Sequence, residues 1–134
     1  MTFIEQFQDD TCIIETYTED CITDVDSAIQ WLIKLRLLDG VYARRYRFED
    51  KYVPPQRPRW IPVIDGIAGP DAFKRMIKNR CPNLIRFFIE FNQVPVQITV
   101  DLENFQVGII SNQDDVGQIA GFKDKLAELS GASA

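Results

Sequence analysis

The chain has 134 residues and a net charge of −5 at pH 7, with apolar and charged fractions of 46% and 26%. These values are typical of one folded domain and exclude a disordered chain. No apolar run approaches the roughly 20 residues that cross a bilayer, so we expect no membrane segment. Histidine is absent, which excludes Ser-His-Asp and Cys-His catalysis and the usual histidine-containing zinc sites.

The first two predicted elements are a helix and a strand. Thr2 and Glu5 form a capping-box pattern and nearby apolar residues recur at helical spacing, so a short helix is predicted over 2–8. Residues 11–18 are rich in β-branched and aromatic side chains, which predicts a strand. Acidic side chains interrupt the apolar residues at this end of the chain, so a signal peptide is not expected.

A long helix and a basic strand come next. Residues 24–38 have a broad apolar face, and Gly40 stands where a left-handed cap is needed, which predicts a well-buried helix. Residues 41–48 have the pattern of a strand. The prolines that follow favour an extended path, and residues 60–64 can form at most an edge strand because Pro62 has no N–H to donate.

The rest of the chain predicts a helix, a meander and a last helix. Pro70 begins a helix that ends before Pro82. Residues 85–109 alternate apolar and polar side chains in three runs with short connections, which indicates an antiparallel meander. A final helix is predicted from residue 114. We therefore expect one α+β domain over 1–134, an antiparallel sheet including this three-stranded meander, with about four helices, two of them long, packed mainly on one face.

Charge is segregated along the chain. The net charge is −7 in residues 1–40, +6 in residues 41–90 and −4 in residues 91–134. In the basic part, cations alternate with aromatic rings, and the helix that begins at Pro70 adds four further cations, three of which are candidates. The candidate partner-binding residues are Tyr42, Arg44, Tyr46, Arg47, Lys51, Arg57, Arg59, Trp60, Lys74, Arg75 and Lys78.

Three interpretations of these residues stay open. Arg, Tyr and Trp are enriched at protein-binding hot spots, which favours a non-catalytic protein-interaction domain such as an adaptor, assembly factor, inhibitor or immunity-type protein. It would bind an acidic partner through the basic residues, or a basic partner through the acidic N-terminal third. The alternative is RNA or single-stranded DNA binding, because guanidiniums neutralise phosphates and rings stack on bases. In the third interpretation the rings pack in the core and the arginines pair with the N-terminal acids.

A homodimer is a further expectation, because a free meander edge and a broad apolar helix both favour self-association. No membrane partner is expected.

Residues 65–73 have the sequence DGIAGPDAF, which resembles the D-G-x-x-G-P turn and following helix of the peptidoglycan-binding domains of cell-wall hydrolases. The resemblance implies cell-wall binding through this turn and helix. A D-G turn followed by a G-P helix start also arises for local reasons alone. The proline-rich stretch before the motif and the meander after it depart from that family's pattern.

The remaining side chains with chemical potential do not form a known site. Cys12, Cys21 and Cys81 are odd in number and lack C-x-x-C spacing, so we expect reduced thiols in a cytoplasmic protein. The carboxylates between residues 19 and 26 do not form a calcium loop, and the glycines do not form a phosphate-binding loop. The sequence therefore predicts no metal, no cofactor and no enzymatic activity.

Overall fold

The computed structural model describes residues 1–49, 61–62 and 70–131 of the chain. A 3-10 turn, Gln113–Asp115, precedes the last helix. The strands and helices in chain order are β1 (Thr2–Gln8), β2 (Cys12–Thr18), α1 (Val25–Arg36), β3 (Val41–Glu49), β4 (Ile61–Pro62), α2 (Pro70–Arg80), β5 (Leu84–Phe91), β6 (Val94–Asp101), β7 (Gln106–Asn112) and α3 (Ala120–Gly131).

One antiparallel sheet contains the strands in the order β1-β2-β7-β6-β5-β3-β4. Six of them have seven to nine residues, while β4 has two residues and pairs with β3 at one edge of the sheet. The prediction of an α+β fold built on an antiparallel sheet is confirmed. The predicted meander is β5-β6-β7, whose consecutive strands are antiparallel neighbours.

The segment predicted as the first helix is instead strand β1, so that prediction is wrong. A helix of seven residues is marginal by itself because its nucleation is costly, whereas β1 gains a full ladder of hydrogen bonds with β2. The described residues accordingly contain three α-helices, and not about four. A bulge between Phe3 and Glu5 interrupts the alternation of side chains in β1, which weakened the strand pattern in the sequence.

Helices α1 and α2 lie close to their predicted positions. The N-cap of α1 is Asp24, whose Oδ1 accepts a hydrogen bond from the Ser27 N–H at 2.7 Å. Helix α2 begins at Pro70 and ends at Arg80, as predicted. Helix α3 begins six residues later than the predicted position 114. Gly117 lies in the gap, where glycine disfavours helix.

The hydrophobic core lies on one face of the sheet, and all three helices contribute to it. Phe73 of α2 packs against Phe87 with ring centroids 5.6 Å apart, and Phe122 of α3 packs against Phe91 at 5.3 Å. The largest fully buried side chains are Trp31, Phe87, Phe122, Ile29, Leu32, Leu35, Ile77, Ile85, Ile89, Ile98, Ile109 and Ile119.

The opposite face of the sheet, called the open face below, has half-exposed side chains, and no helix in the described ranges packs against it. Directly paired residues form one row across six strands of this face. The row consists of Phe7, Ile14, Ile110, Gln97, Phe88 and Arg45.

None of the described helices is both long enough and apolar enough to span a bilayer.

Candidate functional site

The first two residues of the predicted basic site, Tyr42 and Arg44, lie together on β3. Tyr42 is 57% exposed, and the Arg44 guanidinium carbon lies 4.7 Å from the centroid of its ring. The same guanidinium forms an ion pair with the Glu90 carboxylate of β5, with 3.0 Å between nitrogen and oxygen. The hydrogen bond from Arg44 to Glu90 raises the pKa of Arg44. This charge is therefore compensated within the sheet.

Tyr46 lies in the core and is only 2% exposed. Its ring packs against Phe73 and Phe87 with centroids 5.2 Å and 5.7 Å away, and its hydroxyl lies 3.4 Å from the Met76 sulfur. Burial raises the pKa of the Tyr46 phenol. A bulge between Ala43 and Arg45 separates Tyr46 from Tyr42, so that the two rings lie on different faces.

Arg47 lies on the open face next to Arg86, its direct neighbour on β5. Both guanidiniums contact one carboxylate oxygen of Glu49, each at 2.7 Å. This acid, which lies on the same strand as Arg47, is therefore a counter-ion that the two arginines share.

The cations of α2 lie on the other side of the sheet from Arg47. Lys74 is half-exposed and Arg75 is exposed. The Lys78 ammonium lies 3.2 Å from the Asp26 carboxylate at the start of α1, where both side chains are exposed. Here an N-terminal acid does pair with the basic part, although exposed pairs of this kind contribute little to stability.

Four candidate residues lie outside the described residues, namely Lys51, Arg57, Arg59 and Trp60. The turn of the 65–73 segment also lies there, and its described part is the beginning of α2. Among the described candidates, the structure brings Tyr42 together with Arg44. It places Arg47, Tyr46 and the α2 cations in three other environments.

A second surface, which the sequence did not predict, is the free edge of the sheet formed by β1. All seven residues of β1 are exposed. They include three large apolar side chains, Phe3 at 52%, Ile4 at 43% and Phe7 at 61% exposure. In the described part of the chain β1 pairs with β2 alone. The backbone groups that point away from β2 are therefore available to another strand.

The hairpin that joins β1 to β2 is fixed by Asp9. Its Oδ1 accepts hydrogen bonds from the N–H groups of Thr11 and Cys12, both at 2.8 Å. The bond from Cys12 first, and then the bond from Thr11, lower the pKa of Asp9 to about 2. The Asp9 carbonyl also accepts a hydrogen bond from the Gln113 side chain, which ties the hairpin to the 3-10 turn. The edge is thus held at this end.

The neighbouring strand β2 is held to the helix layer by a buried carboxylate. Glu15 is on the core face, where it accepts a 2.6 Å hydrogen bond from the Tyr17 hydroxyl and forms an ion pair with Lys123 of α3. Burial, together with Glu15, raises the pKa of the Tyr17 phenol. Tyr17 in turn contacts Phe3 edge to face at 5.7 Å. Packed and hydrogen-bonded side chains therefore hold β2, the strand with which β1 pairs, to the helix layer.

The sequence did contain one signal for this edge. Phe3 and Phe7 stand four positions apart, a spacing that fits one face of a strand as well as one face of a helix. The capping-box pattern favoured the helix. Only the hairpin pairing with β2 distinguishes the two structures.

A cavity of about 590 Å³ lies between the start of α1 and the end of α2. Ile77, Pro82 and Leu102 form its apolar part, and each polar side chain around it is exposed or half-exposed. No group of three or more cysteine, aspartate or glutamate residues within the described ranges is arranged to hold a metal ion. The cavity therefore lacks the convergent buried polar groups of a small-molecule site.

Comparison with protein-family models, curated proteins and solved structures found no match for this chain.

Proposed function

We propose that this chain is a non-catalytic protein-interaction domain that binds an extended segment of its partner along β1. The observation that carries the proposal is the exposed edge strand with Phe3, Ile4 and Phe7 on its surface. Strand addition to such an edge supplies main-chain hydrogen bonds for affinity, while alternate side chains supply specificity.

The composition of β1 supports this use. Natural edge strands are usually short, or protected by lysine, proline or a bulge, because an open edge invites aggregation. Strand β1 has seven residues with a single charge, Glu5, and its bulge lies in the N-terminal half, between Phe3 and Glu5. The regular part, Glu5–Gln8, pairs continuously with β2 and presents Phe7. That part offers an unprotected edge of sufficient length for pairing.

The basic aromatic residues support a second contact only in part. Tyr42 is exposed, yet Arg44 covers its ring and is paired with Glu90. A base that stacks on this face of Tyr42 would compete with Arg44 for it. These contacts favour protein binding over the alternative of RNA or single-stranded DNA binding. A cytoplasmic location stays a prediction, and its only support is the cysteine pattern.

The test is co-purification with a double variant, Phe3→Ser with Phe7→Ser. Partner recovery from cells of the source organism should fall at least about tenfold, because two aromatic side chains of this kind are typical hot-spot residues. The matched control is Leu37→Ser, which removes an apolar side chain that is 79% exposed near the end of α1. Recovery with this control should equal that of the wild type.

Two outcomes would contradict the proposal. One is unchanged recovery of the same partners by the double variant while its circular dichroism and melting temperature match the wild type. The other is release of the bound material by nuclease, which would instead support nucleic-acid binding.

A further inference from the structure

We infer that the segment received by β1 comes from a different protein and alternates apolar residues with lysine or arginine. This inference rests on the protein-interaction function proposed above. It specifies the chemistry of the partner at the same edge.

The charge around β1 is predominantly negative. Residues 1–33 contain eight acids and no lysine or arginine. Glu5 is exposed within the strand itself, and Asp9 and Asp10 are exposed in the hairpin at its end. Asp20 is exposed after β2, whose last residue pairs with the first residue of β1. Acidic side chains thus lie along the edge and at both of its ends, and a basic segment would be attracted to it.

The register of the sheet gives the order of side chains in that segment. Glu5 pairs with Thr16 and Phe7 pairs with Ile14, so the two project from the open face two positions apart. A strand added beside β1 places its own residues two positions apart next to them. The complementary pattern is a basic residue next to Glu5 and an apolar residue next to Phe7, with one residue between them.

The same charges disfavour a second copy of this chain as the occupant. Antiparallel pairing of β1 with its copy, centred on the middle residue of the strand, would set the two Glu5 side chains opposite one another. Like charges on directly paired strands are destabilising, and residues 1–33 contain no lysine or arginine to compensate them. A partner of opposite charge is therefore favoured over self-association at this edge.

The test uses capped synthetic peptides of about nine residues, long enough to pair with the whole strand. One peptide alternates valine with lysine, the second has glutamate in place of every lysine, and the third is the lysine peptide with its central valine replaced by proline. Binding is measured by fluorescence anisotropy at low and high salt. Amide chemical shifts locate the binding site on the chain.

We expect the lysine peptide to bind at β1, to bind more weakly as salt is added, and to lose binding when it contains proline. Glu5→Lys should weaken binding of the lysine peptide about threefold to tenfold, because it replaces an attractive cross-strand charge pair with a repulsive one. The same change should strengthen binding of the glutamate peptide. Asp10→Lys should act in the same direction. The matched control, Asp39→Lys, changes the net charge equally near the start of β3 and should have little effect.

The outcomes separate this inference from the proposed function. Equal binding of the lysine and glutamate peptides at β1 would overturn the inferred chemistry and leave strand addition intact. If sedimentation shows that the wild type is a dimer and that Phe7→Ser is a monomer, the occupant of the edge is a second copy of this chain. That result would overturn the inference. If no peptide shifts the β1 amides and the Phe3→Ser, Phe7→Ser variant keeps its partners, both proposals fail.

Discussion

At the scale of single residues, the exposed carboxylate of Asp9 has a structural task that depends on its charge. It accepts hydrogen bonds from two backbone N–H groups and from the Thr11 hydroxyl, and these bonds hold the turn between β1 and β2. A carboxylate accepts such bonds more strongly when ionised, which explains why its pKa is lowered to about 2. The edge used in the proposed function is therefore joined to the sheet through a titratable group.

This arrangement predicts how Asp9→Asn changes stability with pH. The folded pKa lies below the usual 3.8, so the ionised carboxylate stabilises the fold at neutral pH, and that contribution is lost as the pH falls from 3.8 to about 2. The variant should have a lower free energy of unfolding than the wild type at pH 7, and the difference should close near pH 2. Urea unfolding at several pH values measures the difference. An NMR titration in which Asp9 titrates near its usual pKa would contradict the prediction.

At the scale of elements, the turn between α1 and β3 depends on a glycine. Gly40 has a φ of 84°, a conformation that is costly for other residues. A Cβ at this position would lie 2.7 Å from the Asn92 side-chain oxygen. The Gly40 carbonyl also accepts a hydrogen bond from the Asn92 N–H at 2.9 Å. This bond holds the turn between α1 and β3 against the turn between β5 and β6.

We expect Gly40→Ala to lower the free energy of unfolding by about 1–3 kcal/mol, because backbone strain and the close contact with Asn92 add together. The matched control is Gly117→Ala, where an added Cβ meets no atom within 4 Å. That change should be neutral or slightly stabilising, since alanine restricts the unfolded chain. Chemical denaturation of the two variants provides the comparison. An equal loss of stability in both would show that the turn tolerates a side chain.

The elements differ in how well local sequence determines them. The meander strands β5 and β6 were predictable because strict alternation of apolar and polar residues has only one interpretation. Helix α1 was predictable because its cap and its broad apolar face agree. Strand β1 was not, because its seven residues fit either structure locally and only β2 decides between them. Pairing with β2 thus overrides the local helical pattern at the edge that forms the candidate site.

At the scale of the whole molecule, the cations of the basic region that the structure describes lie on both sides of the sheet and do not form one surface. The cations of β3 and α2 are close together in the sequence. In the structure, Tyr46 faces α2 in the core, so its neighbour Arg47 projects from the opposite face of the sheet. Acids of the same basic region, Glu90 and Glu49, form ion pairs with Arg44 and Arg47. The acidic N-terminal third keeps most of its charge near the free edge instead. Charge counting along a sequence could not show which side of the sheet each residue occupies.

The sheet order also predicts how stability is distributed. Strand β6 is paired on both sides and covered by the helix layer, whereas β1 is paired on one side and its side chains are exposed. Amides of β1 that donate to β2 should therefore exchange through local opening, orders of magnitude faster than the amides of β6, which require global unfolding. Low local stability of this kind is expected of an edge that accepts a partner strand, because pairing then stabilises it.

Hydrogen exchange followed by NMR measures this difference. Phe7→Ser should leave the β6 exchange rates within a few-fold of the wild type, because Phe7 lies outside the core cluster. Equal protection of β1 and β6 in the free protein would mean that the β1 edge is already covered. In that case the open-edge interpretation would have to be replaced by an internal role for Phe3 and Phe7.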